Sequence, residues 1–362
     1  MTTHVHSPAE VLIDRYKIVK YVAEGGMQQV YMATDLVFNR RVALKVPKSF
    51  SAEKRFARSA RVSARVIHAN VAATYDYFDS GSKSYLIEEF IDGQTLWDRL
   101  DTDFEMLDPH LAAHVIHHLA KGVAASHHAG VFHRDLKPSN IMVSRDSGLR
   151  SVKITDFGIA KMAEEEIADA FKDKESTTGS QTVMGALPYM APEMIINQKS
   201  ANLPADIWAL GAILYQLVSG KLPFGRGLGA VPAIVAAQLP AKPDIFDMRP
   251  QFRPLTDDLW SIVAACLLKE PSYRPTADQL VNLCTKLCYS NAERRNGKIE
   301  SYKGFGRGKW GFIEDENGGS VFYHADSFYG LKVDVGSRVS FADFDGVPRS
   351  RAFPVLPLKS NS

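Results

Sequence analysis

The sequence predicts an α+β protein with a β-rich first part, a helical second part and an aromatic-rich tail. Short runs of β-branched and aromatic residues, separated by turn residues, occupy residues 18–91. Apolar residues then recur at helical spacing through residues 109–287. Strands followed by helices, rather than alternating with them, are typical of the α+β class.

Four strands and four helices follow from these patterns. The strands, which should form a small antiparallel sheet, are Ile18–Val22, Val30–Thr34, Arg41–Val46 and Ser84–Ile91. The helices are Pro109–His128, Ala205–Ser219, Trp260–Leu268 and Ala277–Leu287. After them, the stretch 290–297 is polar and ends in glycine, so it is interpreted as a linker.

The composition narrows the function classes. The 362 residues suffice for two domains, and 45% hydrophobic with 23% charged residues is too apolar a mixture for wholesale disorder. A net charge of +2 means that any nucleic-acid or membrane surface must be local. There are three cysteines, no signal-peptide pattern at the N-terminus and no uninterrupted apolar run of about 18 residues. We therefore expect a soluble, cytoplasmic protein without a membrane partner.

Four short strings carry the functional prediction. They are VALK at 42–45, HRDLKPSN at 133–140, DFG at 156–158 and APE at 191–193. In this order and spacing they resemble the Ser/Thr protein kinase family over residues 16–288. The resemblance implies a bilobal protein-kinase fold, ATP and Mg²⁺ as cofactors, and a protein substrate with a Ser or Thr hydroxyl.

The resemblance assigns roles to five residues of these strings. Asp135 is similar to the family's catalytic base, and Lys137 is close enough in sequence to reach the γ-phosphate. Lys45 would hold the α- and β-phosphates. Asn140 and Asp156 carry hard oxygen ligands that suit Mg²⁺. The set supplies what phosphoryl transfer mainly needs, which is position and positive charge.

The glycine-rich loop departs from the family's pattern. The family has G-x-G-x-x-G-x-V, whereas this chain has AEGGMQQV at 23–30, where Gly25 alone matches the three glycines and Gly26 is extra. The nucleotide-binding set implied by the resemblance is Gly25, Gly26, Val30, Ala43, Lys45, Glu89, Asn140 and Asp156.

A second departure concerns the partner of Lys45. In the family, a glutamate on the helix after the third strand pairs with this lysine, and the corresponding residue here is Ser59. The string YLIEEF at 85–90 resembles the family's fifth strand, which lies beside the third. Since a buried carboxylate requires a partner, we predict that Glu88 pairs with Lys45 in place of the missing glutamate. The alternative is that Glu88 points to solvent.

Other positions bear on whether catalysis is retained. Asp206 resembles the buried aspartate that anchors the catalytic loop, and Glu193 and Arg274 resemble a structural ion pair of the family. Ala186 stands where the family usually has a threonine that bridges the catalytic aspartate and lysine. Beside an active kinase we therefore keep two alternatives. One is a pseudokinase whose nucleotide pocket is a switch for RNA binding, and the other is a scaffold that binds neither ligand.

The tail resembles a cold-shock domain, a small all-β OB-fold barrel that binds single-stranded RNA or DNA. The matching strings are GKWGFIED at 308–315 and SVFYHAD at 320–326. The resemblance implies base-stacking side chains at Tyr302, Trp310, Phe312, Phe322 and His324. The alternative is a barrel whose aromatic residues serve only packing or protein contact.

Together these resemblances divide the chain into four parts. They are an N-terminal extension at 1–15, a protein kinase domain at 16–288, a linker at 289–297 and a cold-shock-like OB-fold domain at 298–358. The sizes of the two folded parts are ordinary for single domains.

Overall fold

The computed structural model describes residues 4–25, 28–48, 56–57, 60–81, 83–157, 184–197, 202–303, 309–330, 334–347 and 349–359. Within these ranges the chain forms an N-terminal antiparallel sheet, a helical region and a closed C-terminal barrel, which confirms the predicted fold class. Gly26 and Ser59 lie outside the described residues. In the described part of the chain, no helix is long and apolar enough to cross a membrane.

Six strands form the N-terminal sheet, in the order β1-β2-β3-β4-β6-β5, and each neighbouring pair is antiparallel. Their bounds are Val11–Leu12 (β1), Tyr16–Glu24 (β2), Gln28–Asp35 (β3), Arg40–Pro47 (β4), Thr74–Asp79 (β5) and Ser84–Glu89 (β6). The four predicted strands correspond to β2, β3, β4 and β6. The other two escape prediction because β1 has two residues and β5 carries an aspartate in its interior.

Strand β4 is buried on both faces, and this places its lysine. Val42 and Leu44 pack with Tyr31 and Tyr85 in a core on one face of the sheet. Because successive side chains of a strand point to opposite faces, Lys45 points to the other face. That face lines a cleft between the sheet and the helical region.

The helices of the second part are Leu96–Thr102 (α1), Pro109–His128 (α2), Pro192–Ile196 (α3), Leu203–Ser219 (α4), Val231–Ala236 (α5), Asp244–Met248 (α6), Arg253–Cys266 (α7) and Ala277–Thr285 (α8). The prediction for α2 is confirmed at both ends. Helix α7 starts earlier than predicted, because its proline lies in the first turn, where a missing N–H costs nothing.

Helices α2 and α4 lie at the centre of the main hydrophobic core. The side chain of Asp108 accepts hydrogen bonds from the first backbone N–H groups of α2, which fixes where that helix begins. Helix α4 ends at Ser219 and is capped by Gly220, whose φ is +69°. A Cβ there would lie 2.6 Å from the backbone oxygen of Glu105, so the turn requires glycine.

A small sheet brings two of the motif strings together. Its strands are Gly93–Thr95 (β7), Ile141–Ser144 (β8) and Val152–Ile154 (β9), in the order β7-β8-β9. Strand β8 begins directly after the string at 133–140, and β9 ends just before the aspartate of DFG. The backbone N–H of Thr155 donates to the Asn140 carbonyl at 2.9 Å, so the ends of both strings are adjacent.

Five strands close the C-terminal barrel, in the order β10-β11-β12-β14-β13. They are Arg294–Lys303 (β10), Trp310–Asp315 (β11), Ser320–His324 (β12), Arg338–Phe344 (β13) and Arg351–Pro357 (β14). Residues 294–297, which the sequence assigns to a linker, pair with β13. The barrel therefore begins four residues before the predicted boundary.

The barrel shares a core with the helical region. Tyr329 and Leu356 are buried in the same hydrophobic cluster as α2 and α4, and the Tyr329 hydroxyl donates to the Val218 carbonyl at 3.2 Å. Phe353 stacks on Phe252 of the helical region, with ring centroids 5.2 Å apart.

Polar contacts reinforce this junction. The buried guanidinium of Arg294 lies 2.6 Å from the buried carboxylate of Asp108, and Lys359 Nζ donates to the carbonyls of Leu100 and Asp101 at the end of α1. A module on a flexible tether would not bury such contacts, so the barrel is built into the fold.

Candidate functional site

A cleft of about 850 Å³ separates the N-terminal sheet from the helical region. The predicted site residues that line it are Gly25, Val30, Ala43, Lys45, Glu89, Asp135, Lys137, Asn140 and Asp156. Gly26, also predicted, lies outside the described residues. A cleft of this volume is typical of sites for ligands the size of a nucleotide.

Lys45 is held between two carboxylates at the back of the cleft. Its Nζ lies 2.5 Å from Glu88 Oε2 and 2.9 Å from Asp156 Oδ1. The strand register explains the first contact, because Lys45 and Glu88 point from adjacent strands to the same side of the sheet. The predicted pairing is thus confirmed, and the alternative of a solvent-facing Glu88 is wrong, since this residue is 4% exposed.

Burial and charge act against each other in this cluster. Burial alone would lower the pKa of Lys45, but Asp156 and Glu88 outweigh it and raise that pKa above its ordinary value. Burial raises the pKa of Glu88, and the charge of Lys45 opposes the rise. Burial also works to raise the pKa of Asp156, but Lys45 and two hydrogen bonds prevail and lower it. With all three groups charged, the cluster carries −1 and favours an additional cation.

Asp135 is oriented by two donors of its own loop. Lys137 Nζ lies 2.9 Å from Asp135 Oδ2, and Asn140 Nδ2 donates to the same oxygen at 3.0 Å. Asp135 and Lys137 therefore touch directly, although Ala186 offers no hydroxyl to bridge them. The two donors fix the direction of the Asp135 carboxylate in the cleft.

Asp206 anchors the backbone of this loop through hydrogen bonds. The buried carboxylate accepts hydrogen bonds from the backbone N–H groups of His133 and Arg134, both at 2.8 Å. Arg134 has a φ of +64°, a strained conformation that these bonds hold in place. The anchoring role predicted for Asp206 is confirmed.

Asp156 is also held in a left-handed conformation, with a φ of +63°. His133 contacts the residues on both sides of Asp156. The Nε2 atom of His133 lies 2.8 Å from the Thr155 carbonyl, and the His133 ring centroid lies 4.7 Å from that of the buried Phe157. The strained backbone directs the carboxylate of Asp156 toward Lys45.

Arg274 and Glu89, two further residues that the sequence singles out, make ion pairs within the protein. Arg274 makes a bidentate ion pair with Glu193, at 2.7 and 2.8 Å, as the sequence predicts. Glu89 lines the cleft, but its carboxylate contacts Lys153 Nζ at 2.8 Å and the Ala73 N–H at 3.3 Å. The charge of Glu89 is thus compensated by Lys153.

Gln28 lies at the third glycine position of the loop pattern and lines the cleft, although the family pattern does not indicate it. Its Nε2 donates to Asp156 Oδ1 at 2.8 Å. Gln28 is two residues before Val30, which was predicted to line the site. The two-residue period of a strand would have placed both side chains on the cleft face.

The donors fit a magnesium ion that arrives with a nucleotide. Asn140 contacts Asp135 through Nδ2, so its Oδ1 could serve as a metal ligand, and Asp156 lines the same cleft. Mg²⁺ commonly takes one or two protein oxygens and fills its other positions with phosphates and water. Across the described ranges, no group of three or more His, Cys, Asp or Glu side chains could hold a metal.

Four of the five predicted stacking residues form one face of the barrel. Trp310 is paired with His324, and Phe312 with Phe322, across strands β11 and β12. The rings of Trp310, Phe312 and Phe322 lie 5.8 to 6.0 Å apart, and all are partly exposed. Tyr302 is opposite the intervening Gly311, so the register does not bring it onto this face.

Two cationic side chains flank this aromatic face. Lys303 Nζ lies 5.9 Å from the ring centroid of Trp310, and the Arg349 guanidinium lies 5.5 Å from that of Phe312. Aromatic rings flanked by positive charge are the combination that contacts bases and phosphates of single strands.

Comparison with known proteins finds relatives whose names describe protein kinases. The chain resembles the serine/threonine-protein kinase PknB of Mycobacterium tuberculosis, with 34% identity over 283 residues that cover 76% of this chain and 42% of that protein. PknB of Mycobacterium leprae is 32% identical with the same coverage, and pkn2 of Myxococcus xanthus is 30% identical over 74% of this chain and 32% of that protein. The chain thus spans less than half the length of these relatives.

A solved structure and a family model define the class. The crystal structure of Rad53 1-466 in complex with AMP-PNP has a TM-score of 0.55, at 22% identity, covering 74% of this chain and 64% of that one, which shows a shared fold. Residues 16–283 match the family model described as "Protein kinase domain". This chain therefore belongs to the protein kinase family.

Proposed function

We propose that this chain is a Ser/Thr protein kinase that transfers the γ-phosphoryl group of ATP to a Ser or Thr hydroxyl of a protein. One observation carries the proposal, which is that a single cleft of nucleotide size is lined by Lys45, Asp135, Lys137, Asn140 and Asp156. Phosphoryl transfer requires these charges in one place, and separate motif strings do not ensure that. The activity in the names of the bacterial relatives supports the same proposal.

Asp135 is the residue that would take the proton of the acceptor hydroxyl. Its Oδ2 is held by Lys137 and Asn140, so the carboxylate is fixed in direction before a substrate enters. Lys137 would place its charge where the transferred phosphoryl group gathers negative charge.

Lys45 would bind the α- and β-phosphates of ATP. Asn140 and Asp156 would hold Mg²⁺, which neutralises phosphate charge when bound. With Asp156 holding the cation, Glu88 would be the carboxylate that keeps Lys45 aligned. The short contact between Lys45 and Glu88 supports this division of tasks.

Incubation with γ-labelled ATP and a general Ser/Thr acceptor protein tests the activity. The wild type should label Ser or Thr side chains, and Asp156→Ala should lose at least 100-fold in rate because it removes a metal ligand. Asp278→Ala, which removes an exposed carboxylate that contacts His128, is the control and should keep the wild-type rate. Equal background labelling by wild type and Asp156→Ala would instead favour a pseudokinase.

For the barrel, we propose that the aromatic face binds single-stranded RNA or DNA. The support is the cluster of three partly exposed rings beside Lys303 and Arg349. A barrel that used its aromatics only for packing would bury them, as it does Phe341 and Tyr323. Titration of a fluorescent single-stranded oligonucleotide tests this directly. A repeat of the labelling assay with single-stranded RNA asks whether the two sites are coupled.

A further inference from the structure

Gln28 occupies a position where the family pattern has a glycine and a bare backbone near the phosphates. The residue begins β3, and its carbonyl accepts a hydrogen bond from the Gly25 N–H at 2.9 Å. Its side chain lines the cleft with Val30 and is 8% exposed. Where the family pattern has a glycine, this chain therefore has the buried side-chain amide of Gln28, which lines the cleft.

One end of this amide is bonded and the other is not. Gln28 Nε2 donates to Asp156 Oδ1, an oxygen that Lys45 Nζ also contacts at 2.9 Å. Gln28 Oε1 is buried and has no hydrogen-bond partner among the described residues. A buried unpaired acceptor is costly, so this arrangement is only half satisfied and favours a change when a ligand enters.

A bound cation would change the surroundings of Gln28. Asp156 would turn to the metal, and Lys45 would remain to compensate its charge, so the hydrogen bond from Gln28 becomes dispensable. The freed Nε2 lies in the part of the cleft where a phosphate is expected, and phosphate oxygens are strong acceptors. The Oε1 atom could then accept from water around the cation.

Building on the proposed function, we propose that Gln28 is a positioning residue for the nucleotide phosphates. Its side-chain amide is held on Asp156 in the structure and donates Nε2 to a phosphate oxygen when nucleotide and metal bind. The side-chain donor of Gln28 would thus bind a phosphate oxygen in place of a backbone N–H group of the family's glycine loop.

Equilibrium binding of AMP-PNP with Mg²⁺, and separately of adenosine, tests this proposal. Gln28→Met removes the donor at similar size, and Gln28→Glu adds a negative charge that repels phosphate. We expect AMP-PNP affinity to fall about ten-fold for Met and further for Glu, while adenosine affinity stays within two-fold of wild type. Gln29→Glu is the matched control, because it adds the same charge one residue along, on the opposite face.

Each outcome has a distinct meaning. Unchanged or tighter AMP-PNP binding by Gln28→Met would overturn the proposal, since an amide that merely competes with the metal gives that result. An equal loss for adenosine and AMP-PNP, or for Gln28→Glu and Gln29→Glu, would also overturn it. If the wild type binds no AMP-PNP at all, the proposed kinase function fails instead.

Discussion

Lys45 Nζ lies 2.5 Å from Glu88 Oε2, and the two residues belong to adjacent strands of one sheet. In the family this lysine pairs with a glutamate on the helix after the third strand. Here the partner is fixed by the backbone hydrogen bonds between β4 and β6. Alignment of Lys45 by Glu88 therefore rests on the pairing of β4 with β6.

Base stacking should carry much of the nucleic-acid affinity. Trp310→Ala and Phe322→Ala should each cost about 1 to 3 kcal/mol of binding free energy for a single-stranded oligonucleotide. Tyr273→Ala, which removes an aromatic ring that is 76% exposed on the helical region, should leave the affinity unchanged. Fluorescence anisotropy measures all three, and wild-type affinity in the Trp310→Ala, Phe322→Ala double variant would refute the assignment.

That binding should also respond weakly to salt. Residues 298–362 contain nine Lys plus Arg and eight Asp plus Glu, so few phosphates can be neutralised. The slope of log affinity against log salt should be shallow, with a magnitude of about 1.4 for two phosphate contacts on a single strand. Anisotropy titrations across a salt series measure the slope, and a value as steep as that of a basic protein would contradict this prediction.

The barrel and the helical region should unfold together, because Tyr329 completes their shared core. Tyr329→Ala removes a fully buried ring and should cost about 3 to 5 kcal/mol of stability. Tyr302→Ala, on the same barrel but 49% exposed, should cost less than about 1 kcal/mol. Urea unfolding followed by tryptophan fluorescence should show one transition, and two separate transitions would contradict a shared core.

The ion pair between Arg294 and Asp108 should stabilise the same junction. Arg294→Ala leaves a buried carboxylate without its partner, which should cost about 3 to 5 kcal/mol. The exposed pair between Arg150 and Glu293 is the natural comparison, and Arg150→Ala should cost less than about 1 kcal/mol. Equal losses in the two variants, measured by thermal unfolding, would show that burial of the pair is unimportant.

Stability should fall in mild acid because of His117. Burial, helped by the charge of Lys121, lowers the pKa of His117 to about 4, and its Nδ1 lies 2.8 Å from the Tyr289 hydroxyl. The unfolded chain therefore binds more protons between pH 6.5 and about 4. The stabilisation is present above pH 6.5 and is lost as the pH falls through this window.

This acid effect should be on the order of 1 kcal/mol, because solvent screens part of it. His117→Gln should reduce the drop in Tm between pH 7 and pH 4. His128→Gln, at an exposed position on the same helix, should leave that drop unchanged. Identical pH profiles for wild type and His117→Gln would contradict the role of His117.

Local signals predicted most of the fold, and contacts between distant segments explain the rest. Helix α2 was predicted at both ends because its apolar period and its Asp108 cap are local. Glu88 was found because strand order places it beside Lys45. The local sequence around Arg294 indicates a linker, because its partner, Asp108, is far away in the sequence. The register also decides which barrel face Tyr302 joins, and the local sequence does not show it.

Kinetics of Glu88→Gln test the central claim most directly, which is that this chain is a kinase whose Lys45 is aligned by Glu88. The variant keeps the shape of the side chain but loses the charge. We predict that kcat/KM for ATP falls at least ten-fold while Tm stays within a few degrees of wild type. Wild-type kcat/KM in Glu88→Gln, or no phosphoryl transfer by the wild type, would contradict the account.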